Sequence, residues 1–366
     1  MKRTYPDYYD DFVCIADKCP QTCCAGWQIE IDEDSLKKYR EKNIETVDFK
    51  HECFYQDKEK RCKNLNEKGL CKLILEHGED ILCNTCRLFP RHIEEFEGVR
   101  EYSLSISCPE VASYLLIKRK EPVTYRTIED DEVDPEEYDA EEQAIYKELY
   151  VVREEFFKIV ADRTLAFSEK AGRILAIAKE FQAIADEVLM DEGDVESIDV
   201  RCALEADYEP LEITDSNRYE LFKVTKEWEF TGDEFTDVLK MTKKALYKER
   251  ADIADLEKNM RESLALQGLD WDIMTEQILH YFLYIYFCGS AYDEYYFGQA
   301  QLAVAACIHI KDFALAHFKT HGAITPEDVI YFTYLYAREL EHSVPNVIAT
   351  EKYMNDHPMS YRGRGM

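Results

Sequence analysis

The sequence predicts a mainly α protein in which an irregular, cysteine-rich, metal-binding N-terminal module packs on a multi-helix domain. Three observations predict it. Ten of the thirteen cysteines stand before residue 109, an acidic stretch follows them, and from about residue 138 onward apolar residues recur at spacings of three and four. The chain therefore divides into a cysteine module over 1–120, an acidic linker over 121–142 and a helical domain over 143–366.

The opening, MKRTYPDYYDDFVC, lacks the apolar core of a secretory signal, so the expected location is the cytoplasm. A reducing compartment and an odd cysteine count both argue against a disulfide framework and for metal ligation. The first cysteine group is Cys14, Cys19, Cys23 and Cys24; the second is Cys62, Cys71, Cys83, Cys86 and Cys108. Cys83 and Cys86 form a CxxC pair, a spacing that lets one tight turn aim both sulfurs at one ion. Zinc asks for a tetrahedron, usually from two such knuckles, and the first group offers none. Neighbouring side chains diverge, so Cys23 and Cys24 serve one small ion only through a special turn, or else serve different centres, or one of them is structural. An iron-sulfur cluster accepts more scattered ligands and is favoured over zinc. Arg87 and Arg91 are placed to balance the negative charge of such a cluster, although Arg91 can equally pair with Glu94 or Glu95. Cys53, Cys202, Cys288 and Cys307 lack ligand-like neighbours, and the last two read as core. His51, His77 and His92 read as surface or supporting residues beside so many thiols.

A helix is expected over 109–120, with Ser107 as its cap and Pro109 in its first turn. Residues 121–142 carry eleven acidic side chains and one arginine, too much like charge for a packed element. Ile145, Leu149, Val152, Phe156, Ile159 and Val160 then share one helical face. Further helices are expected over 168–190, 216–229, 233–265, 271–289, 293–320 and 326–342, with a loop over 191–214. Thr325, Pro326, Glu327 and Asp328 give the last helix a clear start. The aromatic run HYFLYIYF over 280–287 reads as core, although such rings also build cages for lysine ammonium groups. The apolar stretch 278–292 is too short for a membrane span. A net charge of −30 excludes nucleic acid as an expected partner; the acidity reads first as a means of solubility, and it would also draw in a cationic partner such as a lysine-bearing protein surface.

The stretches YPDYYDDFVCIADKCPQTCCAGWQIEID, LCNTCRLFPR and SLSISCPE, with EQILHYFLYIYF and ARELEHS further on, together resemble the flagellin lysine-N-methylase family, the FliB-type proteins. The resemblance covers the cysteine module closely and the helical part loosely. It implies methyl transfer from S-adenosylmethionine to surface lysines of flagellin, dependent on a [4Fe-4S] cluster. The cysteine pattern is also similar to the smaller YkgJ-type zinc- or iron-chelating proteins, which implies an alternative: a metal-cluster protein without transferase activity, serving redox sensing, metal handling or assembly.

No familiar donor-binding motif accompanies the resemblance. The one GxG, at Gly363 and Gly365, follows no early strand, and Gly26 stands where a radical S-adenosylmethionine motif needs its third cysteine. No thioredoxin-like pattern surrounds Cys83 and Cys86. Methyl transfer to an amine needs a base, and Tyr281, Glu341 and His342 are the candidates. The plainer reading of Glu341 and His342 is a helix end, where a protonated histidine suits the dipole.

Overall fold

The computed structural model describes residues 1–190, 195, 198–230, 232–249 and 251–359, so Gly363 and Gly365 lie outside the described residues. The protein is mainly α, with a four-stranded sheet and a two-stranded one that the sequence reading does not anticipate.

Strand β1 (Lys2–Pro6) opens the chain. Helix α1 (Glu33–Glu41) follows, started by Asp32, whose side chain accepts the Ser35 amide. A two-stranded pair, β2 (Val47–Asp48) and β3 (Cys53–Phe54), and two short helices, α2 (Lys72–His77) and α3 (Asn84–Leu88), complete this region. These pieces share their own small core: Ile29, Ile31, Leu36, Tyr39, Phe54, Leu73 and Ile81 pack with Cys62 and Cys83. So little apolar surface gives limited hydrophobic stabilisation, at roughly 25 cal/mol per Å² buried.

Strands β4 (Arg91–Phe96) and β5 (Val99–Leu104) form a hairpin, followed by the short helix α4 (Pro109–Ser113), which widens into a π turn to Lys118. Cys108, not Ser107, occupies the position before α4. Strand β6 (Tyr125–Glu129) lies inside the segment read as an acidic linker and pairs antiparallel with β1, while β5 pairs with β1 in parallel. The sheet order is β4-β5-β1-β6. Phe96 and Leu104 of the hairpin, with Ile106 just beyond it, belong to the large helical core rather than the small one.

The helical part begins with α5 (Ala140–Ala161), whose buried face carries Ile145, Leu149, Val152, Phe156, Ile159 and Val160, as the spacing predicts. Asp139 caps it by accepting the Glu141 and Glu142 amides. Helix α6 (Phe167–Met190) crosses the segment 209–211 at a point where only glycine fits: a Cβ on Gly172 would stand 2.1 Å from the Glu209 carbonyl oxygen. Within the stretch read as a loop lies α7 (Val200–Leu204). Helix α8 (Asp215–Phe222) is shorter than the spacing predicts, and the long helix expected over 233–265 is broken into α9 (Asp233–Thr242), a π turn and α10 (Ile253–Ala265).

The remaining helices are α11 (Trp271–Tyr286), α12 (Tyr296–His321), α13 (Pro326–Glu341) and α14 (Val344–Asp356). Helix α12 is buried on almost every side and runs through the centre, touching α6, α9, α11, α13 and α14. Thr325 and Asp328 form a reciprocal capping box at the start of α13. No helix among the described residues is long and apolar enough to cross a membrane.

Candidate functional site

The sequence-predicted candidates Tyr281, Glu341 and His342 line one cavity of about 470 Å³. Its walls come from both halves of the chain: Trp27, Phe89, His92, Glu94 and Ser105 from the N-terminal part, and Tyr281, Tyr286, Glu341, His342 and Glu351 from the helices. Glu341 is the last residue of α13, and Ser343 caps α14 two residues later, so the chain turns sharply and presents Glu341 and His342 together.

Both carboxylate oxygens of Glu341 are held. The Tyr281 hydroxyl donates to one at 2.9 Å and the Ser105 hydroxyl donates to the other. Tyr281 in turn accepts the Ile106 amide at 3.2 Å, which fixes its proton on Glu341. Ser105 is bonded to Ser107, whose hydroxyl lies 3.2 Å from His342 Nε2. A chain of hydroxyls thus links Glu341 to His342. Burial pushes the Glu341 carboxyl up to about 7, against the Ser105 and Tyr281 hydroxyls that pull it down. Burial pushes His342 down to about 3, helped by Arg338, so it is neutral near pH 7 and is not the charged helix end the sequence allows. Its ring stacks on Trp27 at 4.6 Å between centroids. The aromatic run over 280–287 is mostly core, with His280 bonded to Tyr125 at 2.6 Å, but Tyr281, Ile285 and Tyr286 reach the cavity.

Every cysteine is a free thiol. The N-terminal thiols sort into two neighbourhoods. Cys24, Cys62, Cys71, Cys83 and Cys86 pack in or against the small core. Cys108 belongs to the large core, and the thiols whose charge acts on it are Cys19 and Cys14; Cys14 and Cys108 likewise act on Cys23. Cys23 and Cys24 face one another, as do Cys83 and Cys86. In each pair the shared hydrogen bond pushes one thiol down, Cys24 and Cys83 each to about 7, and raises the other. Burial raises the Cys71 thiol and brings Cys108 to about 11, opposed at each by two backbone amides from the helix that follows. Such amides favour the thiolate that ligation requires. Among the described residues no three His, Cys, Asp or Glu side chains are arranged to hold a metal ion. The fit to an iron-sulfur cluster or to zinc is therefore one of donor type, number and neighbourhood: each group supplies at least four sulfurs.

The arginines expected beside the thiols make other contacts here. Arg87 donates to Asn84, and Arg91 lies over the rings of Tyr9 and Phe12 at 5.8 and 5.4 Å. Glu94 is taken instead by His92 at 3.0 Å, and Glu95 by Arg100. Arg338, which no sequence signal singled out, donates to the Thr22 and Ala25 carbonyls on either side of Cys23 and Cys24. Trp27 donates its indole N–H to the Cys23 carbonyl at 2.8 Å. His51 is exposed and bonded to Asp48, and His77 ends α2 at the surface. Cys53 is buried in β3, Cys202 is exposed, and Cys288 and Cys307 are buried in the helical core as expected.

Residues 153–361 match the family model described as the FliB lysine N-methylase C-terminal domain. The chain is 30% identical over 128 residues to a lysine-N-methylase of Salmonella typhimurium, covering 31% of this chain and 32% of that protein. The figures for a lysine-N-methylase of Salmonella choleraesuis are the same. It is also 29% identical over 128 residues to the flagellar biosynthetic protein FliU of Salmonella muenchen, covering 31% of this chain and 76% of that one. The match thus spans about a third of the two lysine-N-methylases. No solved structure matches.

Proposed function

Since the chain belongs to the FliB lysine N-methylase family, we propose that it is a protein-lysine N-methyltransferase. In this reading it moves a methyl group from S-adenosylmethionine to surface lysines of flagellin or a similar protein, with an iron-sulfur cluster in its cysteine module. The observation that carries the reading is Glu341 in the shared cavity: a carboxylate raised toward neutrality, held by two hydroxyls, among aromatic rings and further acids.

A lysine enters as an ammonium ion and must lose a proton before its nitrogen can attack. A base whose pKa lies near the working pH does this best, and Glu341 at about 7 meets that condition. The freed amine attacks the sulfonium methyl; the new N–C bond forms as the C–S bond breaks, S-adenosylhomocysteine leaves, and Glu341 keeps the proton until solvent removes it. Trp27, Phe89 and Tyr286 supply faces that favour cations, both the ammonium and the sulfonium. The sulfurs that would hold a cluster are Cys24, Cys62, Cys71, Cys83 and Cys86 from one neighbourhood or Cys14, Cys19, Cys23 and Cys108 from the other. A bound cluster would supply cross-links between segments that otherwise share a small core.

Anaerobic purification followed by iron and sulfide analysis tests the cluster, and incubation with methyl-labelled donor and flagellin tests the transfer. Labelled lysine in the acceptor, lost in Glu341→Gln, is expected. A cluster-replete sample that labels no protein overturns the transferase reading.

A further inference from the structure

The cavity holds a second set of acceptors that the proton abstraction does not use. Asp293 comes from the turn before α12, Gln299 from α12 and Glu351 from α14. Gln299 and Glu351 are buried, at 3% and 6% exposure. The Gln299 amide N–H donates to Glu351, which fixes the orientation of the amide and leaves its Oε1 buried without a hydrogen-bond partner. Asp293 accepts the Tyr295 amide at 3.0 Å. The groups acting on Glu351 are Asp293 and Gln299, those acting on Asp293 are Tyr295 and Gln299, and neither set contains a cation. An orphaned buried acceptor beside two carboxylates with no positive partner is costly unless something with N–H donors and positive charge completes it.

We propose that Asp293, Gln299 and Glu351 form an ammonium-binding subsite that takes a primary ammonium group on an aliphatic chain into the cavity that also holds Glu341. Three acceptors from three separate elements match the three diverging N–H bonds of an ammonium. They match the flat fork of a guanidinium poorly. The proposal rests on reading the cavity as the methyl-transfer site, and two ligands of that reaction carry the required group: the lysine of the acceptor and the amino group of the methyl donor. Glu94, paired with His92, and Arg91, laid on Tyr9 and Phe12, are the other charged groups on the wall.

Calorimetric titration of the cluster-bound protein with two probes, S-adenosylhomocysteine and Nα-acetyl-lysine amide, tests the subsite without turnover. Each probe carries one primary ammonium group. In Glu351→Gln and Asp293→Asn, one probe is expected to lose at least about tenfold in affinity while the other stays within about twofold. The weakened probe identifies the ligand. If both probes weaken equally, if neither weakens, or if neither binds the unmodified protein at millimolar concentration, the subsite is overturned. Asp293 lies in an exposed turn, so its variant decides the matter should the Glu351 variant fail to fold. Loss of methyl transfer with this selective weakening intact would sink the transferase reading and leave the subsite standing.

Discussion

At the scale of single residues, Glu341 joins chemistry to stability. Its carboxyl, raised to about 7, is the base only when ionised, so kcat/KM for methyl transfer is expected to rise with pH through about 7 and level off above it. A pH-rate profile flat from 5 to 8 would remove Glu341 from that role. Replacing it with glutamine should lower kcat by about 10²- to 10⁴-fold. The same shift has a stability sign. The folded carboxyl binds its proton more tightly than the unfolded one, whose pKa is near 4.5, so stability is lost as pH rises through the interval from 4.5 to about 7. Glu341→Gln, which cannot ionise, should therefore raise the melting temperature at pH 8 and change it little at pH 4.5, a comparison scanning calorimetry makes directly. The motif ARELEHS made Glu341 and His342 legible in the sequence because it pairs a base with a helix end. Ser105 and Ser107 were not legible as their partners, since those hydrogen bonds join positions 236 and 235 residues apart.

Among the elements, α13 does two things. Arg338 clamps the Cys23–Cys24 turn and Glu341, three residues later, faces the cavity, while Trp27 bridges the same turn to His342. Trp27, beside the thiols, thereby forms part of the wall of that cavity. Trp27→Ala should raise KM for the acceptor or the donor while iron and sulfide content stay unchanged; loss of iron in that variant would mean Trp27 belongs to the metal site alone. Stripping the metal with a chelator should expose the region from Cys24 to Cys86 to limited proteolysis and leave α5 to α14 resistant, because the first has only its small core and the second a large one. Period-3.6 spacing made α5, α6, α11, α12 and α13 readable. The sheet was hidden because β6 is an almost fully exposed edge strand in an acidic stretch, where charge reads as linker but serves equally to blunt a sheet edge. Its partner β1 lies at the other end of the cysteine module.

For the whole molecule, the question is what holds the sheet to the helices so that a cavity can persist between them. Arg153 on α5 answers it: its guanidinium meets both oxygens of Glu101 on β5, one at 2.6 Å, and also donates to the Tyr284 carbonyl on α11, while Tyr146 donates to the same carboxylate. Both partners are almost wholly buried, at 1% and 3% exposure, so each charge depends on the other. Removing one partner leaves an unpaired buried charge, and Arg153→Met is expected to destabilise the fold by about 3–5 kcal/mol. Making both neutral in Glu101→Gln with Arg153→Met should recover much of that loss, because two uncharged side chains carry no comparable desolvation penalty. Chemical denaturation of the two variants distinguishes this from simple loss of packing: a double variant no more stable than Arg153→Met would mean that Arg153 stabilises through its contacts with the Tyr150, Phe157 and Tyr284 rings. The single variant should also lose catalytic activity at temperatures where its helices persist, since Ser105 follows β5 directly and reaches Glu341 only while the sheet stays seated on α5 and α11.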